Sequence, residues 1–406
     1  MTSTCSADLW FVTRGRCLED YVVHIPALPG GGQPGIYNCF VRMDYIVLGP
    51  WGAALRSLRA SRPPLASSGA RAKTYSAGLE QAEQLWMASQ TVGTVASPLL
   101  LFYGLTQAGR ALCAAGIPDS DGRGAEQHGL KFKLTSPREG AVLDLTKVMV
   151  EPHGSGLIQQ AAKVLGSPVL MEGASLTDLV SCLDSQLYFA DHHYSIPQPV
   201  EVREDGIYEP IVKPRGRALV LSPVPRGWLG EREGGPEGAY GARSAIAPPA
   251  AAEVEAWLAA YPKLRVLGTP TSIGQLMPPV GGFNGDDWSI RLVWDVEHSR
   301  QAVTQTQWAL NQVDVVYYGD PGQACGCVLP CVGGNSEAQH LLVTWWLVLY
   351  CLSMLSRYYP NIWTKLLDVD SSALAVPLGH LISVARSKIP VLMFAAMHEL
   401  RASGTG

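Results

Sequence analysis

The sequence has few charged residues and no excess of either sign. Charged side chains make up 16% of its 406 residues, and 31 Lys and Arg stand against 35 Asp and Glu, for a net charge of −4. The basic residues are dispersed, so there is no stripe of the kind that binds nucleic acid and no strong nucleic-acid signal. No acidic tail indicates a basic partner either. The apolar fraction of 47% is large enough to build a sizeable core.

Sequence motifs of several enzyme classes are also missing. There is no HExxH zinc-protease motif, no GxSxG nucleophile elbow and no Walker loop. The glycine-rich run 30–35 is not followed by GKS or GKT, so it is predicted as a surface loop rather than a phosphate-binding loop. These absences leave open whether the protein is an enzyme.

The nine cysteines are odd in number and scattered, which predicts free thiols in a reducing compartment rather than a disulfide scaffold. The N-terminus shows neither the basic nor the apolar region of a secretory signal, so we expect a cytoplasmic protein. Cys325, Cys327 and Cys331 form a CxCxxxC run, with His340 nine residues later. Because a zinc site usually has two CxxC-like pairs, we predict no metal, and nothing in the sequence indicates a cofactor.

One long apolar run dominates the sequence. Between Glu337 and Arg357 lie 19 residues without formal charge, histidine being counted neutral, so the segment must lie in a protein core or a membrane. We predict a helix from Ser336 to Arg357, with that serine or Asn335 as N-cap and Pro360 just beyond its end. No second span and no Lys- or Arg-rich flank is seen, which favours a core helix and no membrane.

Other helices are predicted on both sides of this run. Apolar residues recur at every third or fourth position over 76–95, which is typical of a helix with one buried face. A second helix over 97–116 has a proline in its first turn and a glycine at its end. We expect these two helices to form an antiparallel hairpin. After the apolar run, two more helices are predicted, divided at Pro390.

The middle of the chain is predicted to be rich in strands. Segments such as 128–135 and 141–152 alternate or contain β-branched residues, and short helices are predicted between them. The pair Asp205-Gly206 predicts a hairpin turn. The Gly- and Pro-rich segment 226–250 is predicted as an exposed loop.

Together these elements predict an α+β fold. The apolar helices must bury their surfaces against each other, so the N-terminal hairpin and the C-terminal helices should form one helical bundle with an inserted β-rich subdomain. The predicted boundaries are 1–75 for an N-terminal β and loop region, 76–118 and 336–403 for the bundle, and 119–335 for the β-rich subdomain.

The candidate ligand-binding residues are polar side chains on the apolar helices. Gln107 and Arg110 share one face of the second hairpin helix, Arg357 and Tyr358 end the long apolar run, and His128 begins the β-rich middle. A guanidinium in a core must reach water, a carboxylate or an anionic ligand. The structural alternative for Arg110 is that it reaches solvent or caps the last carbonyls of its helix.

Three blocks of the sequence resemble the YaaC-like family of bacterial proteins. They are residues 79–112, with LEQAEQLWMAS and PLLLFYGLTQAGRAL, the HGL at 128–130, and LSMLSRYYPNIW at 352–363. The resemblance extends over about residues 40–400, and the chain departs from the family mainly at 226–250. It implies the fold and a cytoplasmic location. The family has no established biochemical activity, so the resemblance supplies no mechanism.

Three functions remain open. The first is binding of a small anionic ligand or a protein partner in a cleft between the bundle and the β subdomain. The second is a nuclease or hydrolase that uses His128, or the pair His192 and His193, with Arg110 and Arg357. The third is an interaction or anti-phage defence-type protein that uses the 226–250 loop. The sequence identifies no ligand and no oligomeric state.

Overall fold

The structure is a computed structural model that describes residues 51–118, 126–135, 142–183, 198–205, 216–229, 246–265, 267–278, 288–295 and 326–403. It combines helices with two antiparallel sheets, which confirms the α+β class. The α-helices are α1 (Trp51–Ala60), α2 (Gly69–Thr91), α3 (Ser97–Gly116), α4 (Leu157–Val164), α5 (Leu176–Ser181), α6 (Ala251–Ala259), α7 (Pro262–Arg265), α8 (Leu341–Tyr358), α9 (Pro360–Leu366) and α10 (Ala375–Ser403).

The strands form a small sheet and a larger one. In the small sheet, β1 (Leu130–Leu134), β2 (Val148–Pro152) and β3 (Ala174–Ser175) pair in chain order. The larger sheet has the order β6-β7-β5-β4-β8, with all its pairings antiparallel. Its strands are β4 (Val200–Asp205), β5 (Gly216–Ser222), β6 (Ser272–Met277), β7 (Ser289–Asp295) and β8 (Gly326–Val328).

The predicted helical hairpin is formed by α2 and α3. Helix α3 has the predicted bounds, whereas α2 begins at Gly69 and ends at Thr91 instead of spanning 76–95. The earlier start is explained by burial, because Ala72 and Tyr75 in its first two turns lie in the core. The two helices approach closely, since a Cβ at Gly104 would lie 2.5 Å from the indole Nε1 of Trp86.

The long apolar helix, α8, begins later than predicted. It starts at Leu341, and its N-cap is His340, whose Nδ1 accepts a hydrogen bond of 3.1 Å from the amide of Leu342. Asn335, one of the two predicted caps, instead donates its side-chain amide to the carbonyl of Val169 at 3.0 Å. The segment before α8 is therefore held in place by tertiary hydrogen bonds, which a local capping pattern does not reveal.

The C-terminal helix, α10, is continuous where two helices were predicted. Pro390 lies inside it and has no N–H to donate to the carbonyl of Arg386, four residues earlier. The side-chain amide of Gln90 on α2 donates to that carbonyl at 3.2 Å. A hydrogen bond from another helix thus replaces the one that proline removes, and the helix continues.

Two described helices, Leu341–Tyr358 and Ala375–Arg401, are long and apolar enough to cross a membrane by length and composition. The candidate span Ala375–Arg401 corrects the sequence analysis, which found no second span. Core helices pass the same test. In the most apolar window of each, 78% and 56% of the residues are buried inside the protein.

The described hydrophobic residues form two clusters. The first contains the helices from both ends of the chain, α1 to α3 and α8 to α10, and also the small sheet with α4 and α5. The second contains the larger sheet with α6 and α7. Described residues of 130–183, a segment within the predicted β-rich subdomain 119–335, thus belong to the same cluster as the N- and C-terminal helices.

Some other predicted segments lie only partly within the residues that the structure describes. Of the region 1–75, only 51–75 is described, and that part is mainly helical because it contains α1 and the start of α2. The ends of the 226–250 segment pack on the second cluster, where Trp228 lies 5.1 Å from Trp257 between ring centroids. Outside the described residues lie 30–35, His192 and His193, Gly206, 230–245 and Cys325.

Candidate anion-binding site

Helices α3 and α8 lie antiparallel and in close contact. A Cβ at Gly109 would lie 2.1 Å from Cη2 of Trp346, so only a glycine permits this approach. At the other end of the contact, Phe102 lies 5.7 Å from Tyr350 between ring centroids. This alignment brings the C-terminal turn of α8, which carries Arg357, beside the first half of α3.

The HGL segment lies next to this helix pair and is fixed by its backbone. Gly129 has a φ of +81°, a conformation that favours glycine. Its carbonyl accepts hydrogen bonds from the amide of His153 at 3.0 Å and from the side chain of Gln159 at 2.7 Å. The carbonyl of Gln127 accepts from the amide of Leu157 at 2.9 Å. These bonds hold His128 in one position.

The imidazole of His128 lies among aromatic rings of the two helices. Its ring centroid is 5.2 Å from Phe102 on α3 and 6.3 Å from Tyr350 on α8. Burial and the positive charges of Arg357 and Arg110 lower the pKa of His128 below its usual value.

Arg357 is held by two tyrosines. Its guanidinium donates to the hydroxyl of Tyr103 on α3 and, at 2.6 Å, to the hydroxyl of Tyr358. The guanidinium carbon lies 4.5 Å from the centroid of the Tyr358 ring. Among the described residues, no carboxylate forms an ion pair with Arg357. We call Tyr103, Arg357 and Tyr358 the donor cluster.

The carboxylates that could have paired with Arg357 have other partners. Glu83 is buried and pairs with Arg56 and Arg59, and Glu80 lies 3.8 Å from Arg59. Asp368 accepts a hydrogen bond from the hydroxyl of Ser371, which lowers the pKa of this carboxyl group. The guanidinium of Arg357 is therefore not part of a structural ion pair with any of these groups.

The remaining candidates, Gln107 and Arg110, lie on the same face of α3 as Tyr103, at successive turns, and both are half-buried. The carbonyls at the end of α3 are bonded by another residue, Arg71, which donates to Ala114 at 2.9 Å and to Pro118 at 2.9 Å. Arg71 therefore bonds carbonyls at and just beyond the end of α3. Arg110 lies on the face of α3 that also carries Tyr103.

Sequence reasoning did not identify Tyr103. It lies four residues before Gln107, and that spacing places both on one helix face. Its hydroxyl, however, gains significance only through the contact with Arg357 on α8.

Metal ligation has no support among the described residues, where no group of three or more His, Cys, Asp or Glu side chains could hold an ion. His340, which follows the CxCxxxC run, uses Nδ1 to cap α8.

The model of the YaaC-like Protein family matches residues 55–203 and 277–397. The chain belongs to the YaaC-like family. These YaaC-like segments include His128, Gln107, Arg110 and the whole donor cluster, while the unmatched segment 204–276 contributes β5, β6, α6 and α7 to the second hydrophobic cluster. No curated protein and no solved structure matches the chain.

Proposed function

We propose that this YaaC-like protein binds a small anionic ligand at the donor cluster, beside His128 and Arg110. The observation that carries the proposal is the environment of Arg357. Its guanidinium is oriented by two phenol oxygens, and no described carboxylate neutralises it. A guanidinium keeps its charge at every ordinary pH, so an anion from solution is its natural partner.

The chemistry of the tyrosines supports the same proposal. Each phenol oxygen accepts a hydrogen bond from Arg357, which leaves the phenol O–H group free to donate elsewhere. The cluster therefore still offers O–H and N–H donors to a ligand. Arg110 is a second basic residue on the same face of α3 as Tyr103, two turns further along the helix. Positive charge combined with fixed donors favours binding of anions.

The test compares the melting temperature of the parent with that of Arg357→Met at increasing low-millimolar concentrations of inorganic phosphate. Arg357 is exposed, so its substitution should change the free energy of unfolding by no more than about 0.5 kcal/mol. If phosphate binds at Arg357, the melting temperature of the parent should rise with the logarithm of phosphate concentration. That of the variant should show only the small general effect of an excluded salt.

The control is Arg71→Met, which removes a guanidinium that donates to carbonyls at and just beyond the end of α3 and is not part of the donor cluster. This variant should melt at a lower temperature and keep the phosphate response. The proposal would be contradicted if the melting temperature of the parent did not respond to phosphate, or if Arg357→Met kept the full response of the parent.

A further inference from the structure

We propose that the ligand group recognised by the donor cluster is a tetrahedral oxyanion, a phosphate or phosphate monoester, rather than a carboxylate. This inference rests on the proposed function and names the ligand class of that site. Tyr103, Arg357 and Tyr358 use some of their donors in hydrogen bonds to each other. The inference follows from the number of donors that remain and from the side chains that carry them.

The donors outnumber what a carboxylate can accept. A guanidinium has five N–H donors, and the two phenol oxygens take one from each of its terminal nitrogens. Three N–H groups of Arg357 therefore remain, together with the O–H groups of Tyr103 and Tyr358. A carboxylate has two oxygens with about four lone-pair sites, whereas a phosphate monoester has three terminal oxygens that are strong acceptors.

The donors also come from different directions. Tyr103 is on α3, while Arg357 and Tyr358 are on α8, and the guanidinium lies against the Tyr358 ring at 4.5 Å. The oxygens of a carboxylate lie in one plane and suit the parallel fork of a single arginine. Oxygens arranged as a tetrahedron can accept from several side chains at once, so the arrangement fits phosphate better.

The experiment is isothermal titration calorimetry of the full chain with sodium phosphate, methyl phosphate and sodium acetate, at matched ionic strength and pH. We expect phosphate and methyl phosphate to bind at least about tenfold more tightly than acetate, the change that one charge-assisted hydrogen bond produces. If phosphate and methyl phosphate bind with similar Kd, the site recognises the phosphate group that both compounds contain. Tighter binding of methyl phosphate would indicate that the natural ligand is an ester, and both results support the inference.

Variants that remove a single O–H group test the role of each tyrosine. Tyr103→Phe and Tyr358→Phe keep the ring and should each weaken phosphate binding about tenfold. The matched control is Tyr359→Phe, because Tyr359 contacts Phe132 through its ring at 5.9 Å and is not part of the donor cluster. This control should bind phosphate like the parent.

The outcomes separate the inference from the proposed function. Acetate that binds as tightly as phosphate, with Arg357→Met abolishing both, would overturn the inference and leave anion binding intact. Phosphate binding that is unaffected by both Tyr→Phe changes would also overturn it, because the hydroxyl groups would then not be donors. If no anion binds to the parent, both the inference and the proposed function fail.

Discussion

Gly109 sets the distance between the two helices that carry the candidate site. Any Cβ at this position would overlap the indole of Trp346, whose nearest atom would be 2.1 Å away, and both residues are buried. The clashing atoms belong to a rigid indole ring in the core, so neither of the two residues can move aside into solvent. The geometry of α3 and α8, and with it the position of Arg357 beside Tyr103, therefore depends on the absence of one side chain.

The prediction at this scale is a pair of Gly→Ala substitutions. Gly109→Ala should destabilise the protein by about 1–3 kcal/mol, the usual cost of overpacking a core. In the matched control, Gly379→Ala in α10, the new Cβ meets nothing within 4 Å, and stability should rise by about 0.5–1 kcal/mol. Chemical denaturation measures both. If Gly109→Ala and Gly379→Ala changed the free energy of unfolding by the same amount, α3 and α8 would not be packed together at Gly109.

Single residues also show how far the sequence could locate the site. Arg110, Arg357 and His128 were candidates because charge on an apolar helix is unusual and because His128 belongs to the HGL block. Tyr103 was not a candidate, since a tyrosine on an apolar helix is ordinary. Its importance depends on the alignment of α3 with α8, which places its hydroxyl at Arg357, and no local pattern encodes that alignment.

At the scale of elements, α10 and α2 are joined by reciprocal hydrogen bonds. Gln90 on α2 donates to the Arg386 carbonyl that Pro390 leaves without a donor. In return, the guanidinium of Arg386 donates to the carbonyl of Val92 at 2.9 Å and to the hydroxyl of Ser97. The connection between α2 and α3 is thus held by the same turn of α10 that contains the proline.

A double-mutant cycle tests this account of Pro390. Gln90→Leu should cost about 0.5–1.5 kcal/mol in the parent, the net value of one hydrogen bond. In a Pro390→Ala background it should cost much less, because the alanine N–H can donate to the Arg386 carbonyl. The coupling energy from urea denaturation measures the difference.

The control for the cycle is Gln84→Leu, an exposed glutamine on the same helix. Gln84→Leu should change the free energy of unfolding by the same amount in the parent and in the Pro390→Ala variant. A coupling energy near zero for Gln90 and Pro390 would refute the idea that the glutamine substitutes for the missing N–H.

Element boundaries were predictable where local chemistry determines them. The helix 97–116 has a proline in its first turn, Pro98, and Gly116 at its end, and the structure has the same bounds. The start of α8 was wrong because Asn335 bonds to Val169, on a distant part of the chain. The division at Pro390 was wrong because Gln90 supplies the missing hydrogen bond. Both errors arise from tertiary contacts that override local signals.

At the scale of the whole molecule, the helix Leu341–Tyr358 is part of the first hydrophobic cluster. The side chains of Trp345, Leu347 and Leu349 are at most 1% exposed. Apolar side chains that are covered by protein cannot also face lipid. We therefore propose that α8 is a core helix.

This proposal is tested by fractionation. After high-speed centrifugation of a lysate prepared without detergent, the protein should be in the supernatant, and its elution volume in gel filtration should not change when a mild detergent is added. Recovery from the membrane pellet only after detergent extraction would show instead that Leu341–Tyr358 or Ala375–Arg401 is inserted in the bilayer.

The sequence predicted that helices from both ends of the chain pack together, because their apolar surfaces required it. It did not predict that β1 to β3 join the same cluster, since strand patterns do not specify which core a sheet covers. The segment that leads into β1 illustrates the point: the amides of Leu157 and Ile158 in α4 donate to the carbonyls of Gln127 and His128, which attaches the small sheet to a helix.

The union of both chain ends in one cluster affects how the protein is made. Helix α3 leaves the ribosome well before α8 is translated, and synthesis proceeds at about 5–20 residues per second, so on the order of tens of seconds separate them. During this interval the apolar face around Gly109 has no Trp346 to cover it. The nascent chain therefore exposes this apolar face until α8 is made, and a ribosome that stalls before residue 341 releases a product without a complete core.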